Sequence, residues 1–442
     1  MQTAQVQGQY NQAIGTERDI IALIGDGRQV VQRAPMASTQ QVGQEALAGI
    51  VVPGNNLNQK FTWLDGNAES NNTYVLVISN NESIAPHAFE FRNMRNITIV
   101  LRGDTPNRTI SLSTNGSLFT VGANIELILE DIVLQGRRNN NAPLIRVHNG
   151  NIVLNNGSNI IGNTFVTATE NTGGAGVFLN SGDMLITGGI VSGNTVSSSA
   201  NGTGGGGIFA VNGSTIRITD GAIRNNQVNS NRPGDYAGSE GGGIFLQNSH
   251  LEMSGGVIEG NSINDRGLRL NSTAHGGGIS SRTFFHFSVG TIRNNTVTSN
   301  ATVNFGGSFG GGVYFSGEFI MTGGIISGNR VVSHVNPNYH YWTNNMFSEG
   351  GFGGGVASRW LPNSFTKTGG TIYGNDVPGN DSDGFPLRNV AQNDRNGIGG
   401  GHAVWFSVSN YDNRSPHQRR NTTAWDTDNI NSNVPGRVGG WN

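Results

Sequence analysis

The chain has 442 residues, a formal net charge of −2 and only 13% charged residues, and it draws its polarity from Asn, Ser, Thr and 68 glycines. No basic field or cluster exists, so the charge pattern gives no footing for nucleic acid or an anionic membrane surface. The lack of cysteine excludes disulfides, thiolate metal sites and a cysteine nucleophile, and no apolar run reaches the roughly 18–20 residues that span a bilayer.

Residues 1–72 carry no repeat. They hold two short apolar stretches, DIIALIG (19–25) and ALAGIVV (46–52), in a Gln-rich setting. They are expected to form an N-terminal cap or an assembly arm that packs on another subunit. The opening MQTAQVQGQYNQ has neither a basic start nor an apolar segment, so it is not a signal peptide. Either the export signal is absent from this chain or the protein stays in the cytoplasm, and the composition favours the exported reading.

From residue 73 onward short apolar runs alternate with turns. YVLVI (74–78), ITIVL (97–101), TISLS (109–113), SLFTV (117–121), IELILEDIVL (125–134), LIRVH (144–148) and NIVLNNGSNIIGN (151–163) read as strands. A regular repeat follows. A glycine block before a β-branched residue recurs from GGAGVF (173–178) to GGGHAV (399–404). A second block follows most copies: GGIVSGN (188–194), DGAIRNN (220–226), GGVIEGN (255–261), VGTIRNN (289–295), GGIISGN (323–329) and GGTIYGN (369–375). Its copies lie 32, 35, 34, 34 and 46 residues apart.

Alignment on the second position of that block gives columns. Met184, Ile216, Leu251, Phe285, Phe319 and Phe365 share one; Ile186, Ile218, Met253, Phe287, Met321 and, breaking the pattern, Lys367 share another. The residues between them share no chemistry, which is the period-2 mark of a strand with one buried face. A third column is Val191, Ile223, Ile258, Ile292, Ile326 and Ile372, and a fourth is Asn194, Asn226, Asn261, Asn295, Asn329 and Asn375.

A unit of about three short strands cannot bury its own apolar face and must stack on its neighbours. Equivalent residues then lie about 4.8 Å apart along an axis. Stacked Ile fills the interior, and stacked Asn amides hydrogen-bond as a ladder. The expected fold is all-β: a right-handed parallel β-helix, a solenoid of about ten rungs over 73–406 wound from a single chain, with capped ends. Residues 407–442, with RRNTTAW (419–425) and Trp441, read as the C-terminal cap.

These motifs resemble those of the β-helix repeat surface proteins of spirochaetes and related bacteria. The likeness is carried by SIAPHAFEF (83–91), ITIVLRG (97–103), TISLSTNGSLFTVG (109–122), the two repeat blocks, and the closing TKTGGTIYGN, GHAVWF and RRNTTAW. It covers about residues 60–430. A more distant likeness is to polymorphic outer-membrane proteins, although their FxxN motif is not repeated here. The resemblance implies an extracellular or cell-surface location and an adhesive or structural role.

Candidate sites are few. Asp183, Asp220 and Glu252 approach the acidic pattern of β-helix polysaccharide lyases and hydrolases, but they occupy three different columns and are expected to be solvated. His286 stands alone in an outward column, GGFGGGVAS (350–358) lacks the Asp of a calcium-binding nonapeptide, and the glycine triplets precede strands rather than helices. No catalytic residue, metal or cofactor is assigned. The densest aromatic cluster, Tyr339, His340, Tyr341, Trp342 and Phe347, falls in the longest loop among the late repeats. Such a loop either covers the stack or binds a partner. The expected function is a non-enzymatic adhesin or coat component that meets a host glycan or surface protein. The alternatives are a subunit of a self-assembling extracellular filament, joined end to end or through residues 1–60, and a polysaccharide-cleaving enzyme.

Overall fold

The computed structural model describes residues 20–23, 29–32, 49–231, 237–266, 272–299, 307–334, 350–358, 365–374, 378–393, 399–400, 403–407, 422–425 and 429–430. The chain divides into two compact units, Met1–Ala48 and Gly49–Asn442. In the first, Ile20–Leu23 pairs with Gln29–Gln32 as an antiparallel ribbon.

The second unit is a parallel β-helix. From Thr73–Ile78 to Phe365–Ile372, ten parallel strands follow one another in a first sheet, preceded by the short strand Ile50–Val51. In the early rungs this sheet has two separate arms, so that Ile132–Gln135 pairs with Arg108–Leu112 and Asn159–Ile161. From Asp183–Ser192 onward both arms belong to one long strand, and the register shifts between Ile186 and Ile190. The glycine pair of the second repeat block sits at this bend. A second sheet runs from His87–Phe89 to Val404–Ser407, a third from Thr164–Thr167 to Val390–Asn393, and a fourth from Ala237–Glu240 to Gly399–Gly400. A late rung therefore visits four sheets, one more strand than the spacing implies.

The columns read from the sequence are columns in space. Ile216, Leu251, Phe285, Phe319 and Phe365 are successive register partners, and so are Ile223, Ile258, Ile292, Ile326 and Ile372. These side chains are almost completely buried, in one continuous core between the first and second sheets. A second, narrower interior lies along the third sheet, built on Phe165, Val196, Val228, Ile263, Val297 and Val331.

One helix, Leu57–Asn67, stands outside the repeat and has no counterpart in the sequence reading. Asn56 caps it by accepting from the Gln59 amide at 2.9 Å, and the Glu82 carboxylate accepts from the Leu57 amide at 2.9 Å. Leu57, Phe61 and Leu64 join the main core, with Phe61 stacked 3.7 Å from the His87 ring. At the other end the chain returns antiparallel. Thr422–Trp425 pairs with Val404–Ser407, and Asn429–Ile430 with Thr371 and Ile372. Antiparallel returns of this kind occupy strand edges that would otherwise be open to pairing.

Candidate functional site

The most regular side-chain array is the asparagine ladder, and the two-residue motif [GN]-N has a separate cause at each position. The first residue is left-handed in five successive rungs, with φ of 62° at Gly193, 55° at Asn225, 62° at Gly260, 55° at Asn294 and 62° at Gly328. Gly and Asn are the residues that tolerate this conformation. The second residue is fully buried. Asn226 donates its backbone N–H and its Nδ2 to the Asn261 Oδ1, both at 3.0 Å, and a second Nδ2 hydrogen to the Val191 carbonyl at 2.9 Å. The same pattern links Asn194, Asn226, Asn261, Asn295 and Asn329. Asn163 extends it by donating its backbone N–H to Asn194 at 3.1 Å. The expected sixth member, Asn375, lies outside the described residues. The place above Asn329 is held by Asn389, whose Oδ1 accepts from the Asn329 Nδ2 at 3.0 Å.

The glycine triplets are turns pressed against this ladder. A Cβ on Gly277 would strike the Gly311 carbonyl and stand 2.7 Å from the Thr296 nitrogen, and one on Gly278 would stand 2.9 Å from the Asn295 Nδ2.

The carboxylates weighed in the sequence stay apart. Asp183 accepts from the Thr215 amide at 2.9 Å, Asp220 from the Gly221 amide at 2.7 Å, and Glu252 from Arg217 at 2.9 Å. His286 meets only the Thr322 hydroxyl, at 3.2 Å, among the described hydrogen bonds. Arg293 is the busiest cation. It bonds Glu259 at 2.9 Å, Asp381 at 2.9 Å and Asp383 at 2.7 Å, with the Phe385 ring 4.1 Å from its guanidinium. It thereby ties the segment 378–388, which separates Ile372 from Asn389, to the flank of the first sheet.

One polar cluster is sealed and was not found in the sequence. Glu240, just before one glycine triplet, and His275, just before the next, are register partners in the fourth sheet. The Glu240 carboxylate, 2% exposed, meets His275 Nδ1 at 3.1 Å and Arg282 Nη2 at 2.8 Å, and accepts the Ser280 hydroxyl. Burial alone would raise its pKa, yet His275 and Arg282 outweigh that and pull it down to about 2. The His275 ring stacks 4.1 Å from Tyr314. The grouping contains a serine, a histidine and a carboxylate but not the order of a nucleophilic triad. The serine donates to the carboxylate rather than to the imidazole, and it is fully buried. Aligning the sequence on the triplets puts Glu240 and His275 in one column, but Phe309 and Phe352 follow there, so no shared chemistry marks it.

A shallow depression of about 640 Å³ opens beside Glu90, Arg92, Met94, Arg95 and His148. Among the described residues no three His, Asp or Glu side chains gather as a metal site, and no helix is long and apolar enough to cross a membrane. The aromatic cluster Tyr339, His340, Tyr341, Trp342 and Phe347 lies outside the described residues. Comparison with protein-family models, with curated proteins and with solved structures finds no match to this chain.

Proposed function

We propose that the protein is a non-enzymatic surface component, an adhesin or coat protein, whose stiff stack displays a column of loops to a glycan or protein partner on a host surface. The observation that carries this reading is where the rungs differ in length. The connections from the third sheet to the fourth are residues 231–236, 266–271, 300–306, 334–349 and 394–398. The strands on both sides of these connections are in parallel register from rung to rung. Length changes at that point therefore start and end on strands in register, and the ladder from Asn194 to Asn329 and the main core beside it stay in step. The fourth connection is more than twice as long as any of the others and contains Tyr339, His340, Tyr341, Trp342 and Phe347. Tyr and Trp supply contact area at low entropic cost.

Two features weigh against the other readings. The carboxylates of the first sheet each have a separate partner rather than a shared opening, and the antiparallel returns at the C-terminal end occupy edges that a filament would use. The test is binding of the purified protein to a glycan panel and to intact host cells. Tyr341→Ala with Trp342→Ala should lower binding at least about tenfold while leaving the melting temperature unchanged. Unchanged binding by the double variant, or no binding by the parent chain to any panel member or cell, overturns the proposal.

A further inference from the structure

The depression beside Glu90 and His148 follows from the register of the early rungs. Phe89, Val121 and Val147 are successive partners in the second sheet and point into the main core. At the next position Glu90, Gly122 and His148 therefore lie one above another. Glycine in the middle leaves the two outer side chains apart by roughly twice the strand spacing of about 4.8 Å. The hollow of about 640 Å³ opens there, and the connection 91–95 walls it with Phe91, Arg92, Met94 and Arg95. Phe91 and Met94 are half-buried against the main core, whereas both arginines are exposed.

A third arginine stands at its edge. Arg146 is two residues before His148 on the same face of the strand, with its guanidinium 5.2 Å from the centre of the Phe178 ring. Burial lowers its pKa. Arg282, four rungs further on, makes a direct comparison. It lies over the Phe245 ring at the same 5.2 Å, but it holds the Glu240 carboxylate at 2.8 Å, which raises its pKa. Among the described ion pairs none involves Arg92, Arg95 or Arg146. Burial and then Arg146 keep His148 below the ordinary histidine value, so its ring is neutral near pH 7. Asn212 Nδ2 donates to Asn180 Oδ1 at 2.8 Å, which turns the Asn180 amide nitrogen toward His148 Nδ1 at 3.2 Å. The imidazole proton then sits on Nε2, where it is a donor. Glu90 is the one carboxylate that lines the hollow, and the exposed amides of Asn124 and Asn149 complete its rim.

We propose that this hollow binds a carboxylate-bearing sugar residue of an acidic glycan. Guanidinium groups match a carboxylate in paired, charge-assisted hydrogen bonds, and three of them converge here on rungs that supply a single acidic side chain. Glu90, the two amides and His148 Nε2 suit ring hydroxyls, and Phe91 with Met94 suits the C–H face of the ring. The site goes beyond the display of the long loop and does not rest on it, because it lies on different rungs.

The test is calorimetric titration of the full-length protein with oligogalacturonate and with sialyllactose. Each is run beside its neutral counterpart, the methyl-esterified oligomer or lactose, and beside inorganic sulfate. At least one acidic sugar should bind, at least about tenfold more tightly than its neutral counterpart or sulfate. Arg146→Gln, Arg92→Ala with Arg95→Ala, and Ala123→Trp, which fills the hollow from an exposed position, should each weaken that binding at least about tenfold. The exposed control Arg138→Ala and the pair Tyr341→Ala with Trp342→Ala should bind as the parent does. Circular dichroism and melting temperature monitor the fold, and if Arg146→Gln unfolds the two exposed-site variants decide. The inference is overturned if neither acidic sugar binds, if the neutral sugars or sulfate bind equally, or if the folded hollow variants bind as the parent does. Loss of acidic-sugar binding in the Tyr341 and Trp342 pair also overturns it, while leaving the reading of the long loop intact.

Discussion

The two interiors of this β-helix run along the same rungs and are built from opposite chemistry. The main core is formed by columns of Ile, Leu, Phe, Met and Val from two facing sheets. Hydroxyls enter it at Ser281 and Ser358, in a column otherwise held by residues such as Leu246 and Phe315, and an amine enters at Lys367. The narrow interior has one apolar column, Val196 to Val331, beside a polar one: Ser198, Ser230, Asp265, Ser299 and Ser333, all buried. The fourth sheet adds Ser239 and Ser308 in the column of Ala274, and their hydroxyls have no hydrogen-bond partner. The ladder and the glycine triplets stand between these two regions. The loops that change length from rung to rung leave from the polar side. Through Ile326 and Asn329 the changes in length lie mainly where apolar packing is least demanding, whereas in the last rung a longer segment also separates Ile372 from Asn389.

That contrast can be broken in graded steps. Ile258→Asn places an unpaired amide in the main core and removes packed methyl groups, so urea denaturation should show a loss of about 4 kcal/mol. Asn261→Ala should cost about 3 kcal/mol, because the Asn226 backbone N–H and Nδ2 both lose their acceptor while the Ile223 carbonyl loses its donor. Similar small losses for both substitutions would mean that the ladder and the core do not set the spacing.

Acid probes the polar side. The folded pKa of Glu240 is pulled down to about 2, below the ordinary glutamate value of 4.5. Its contribution to stability is therefore complete above about pH 4.5 and is lost as pH falls from there toward 2. Glu240→Gln should flatten the stability profile across that window while leaving the slope at neutral pH unchanged, and a parallel profile would contradict the assignment. The smallest effects belong to Ser239→Ala and Glu252→Gln. The first removes a hydroxyl without a partner, and the second weakens a half-exposed ion pair. Each should change stability by no more than about 0.5 kcal/mol in thermal melts.

Much of this architecture is legible in the sequence because every rung makes the same choice at the same place. The Ile, Phe and Asn columns, the left-handed [GN] position and the glycine triplets repeat, and repetition turns weak local signals into register. Features made once give nothing to align. The cap at Asn56 and the apolar spacing of Leu57, Phe61 and Leu64 outline a single helix in a segment without a repeat. The segment Asn375-Asp376-Val377 fits the ladder pattern as well as its predecessors do, yet Asn389 holds the place, because an insertion anchored by Arg293 intervenes. Glu240, His275 and Arg282 come together across two adjoining rungs; Glu240 and His275 share a column with Gly204, Phe309 and Phe352, and Arg282 follows Val211 and Gln247 in another, so neither column marks the cluster.

The central claim is that residues sharing a repeat position are axial neighbours. Because the chain has no cysteine, paired substitutions report this without background. Arg217, Glu252 and His286 follow one another in an outward column. Arg217→Cys with Glu252→Cys places two thiols on neighbouring strands about 4.8 Å apart, within disulfide range, whereas Arg217→Cys with His286→Cys places them about twice as far apart. Mild oxidation followed by mass spectrometry should find an intramolecular disulfide in the first pair and free thiols in the second. Equal cross-linking of both pairs, or of neither, would contradict the stacked register on which the fold depends.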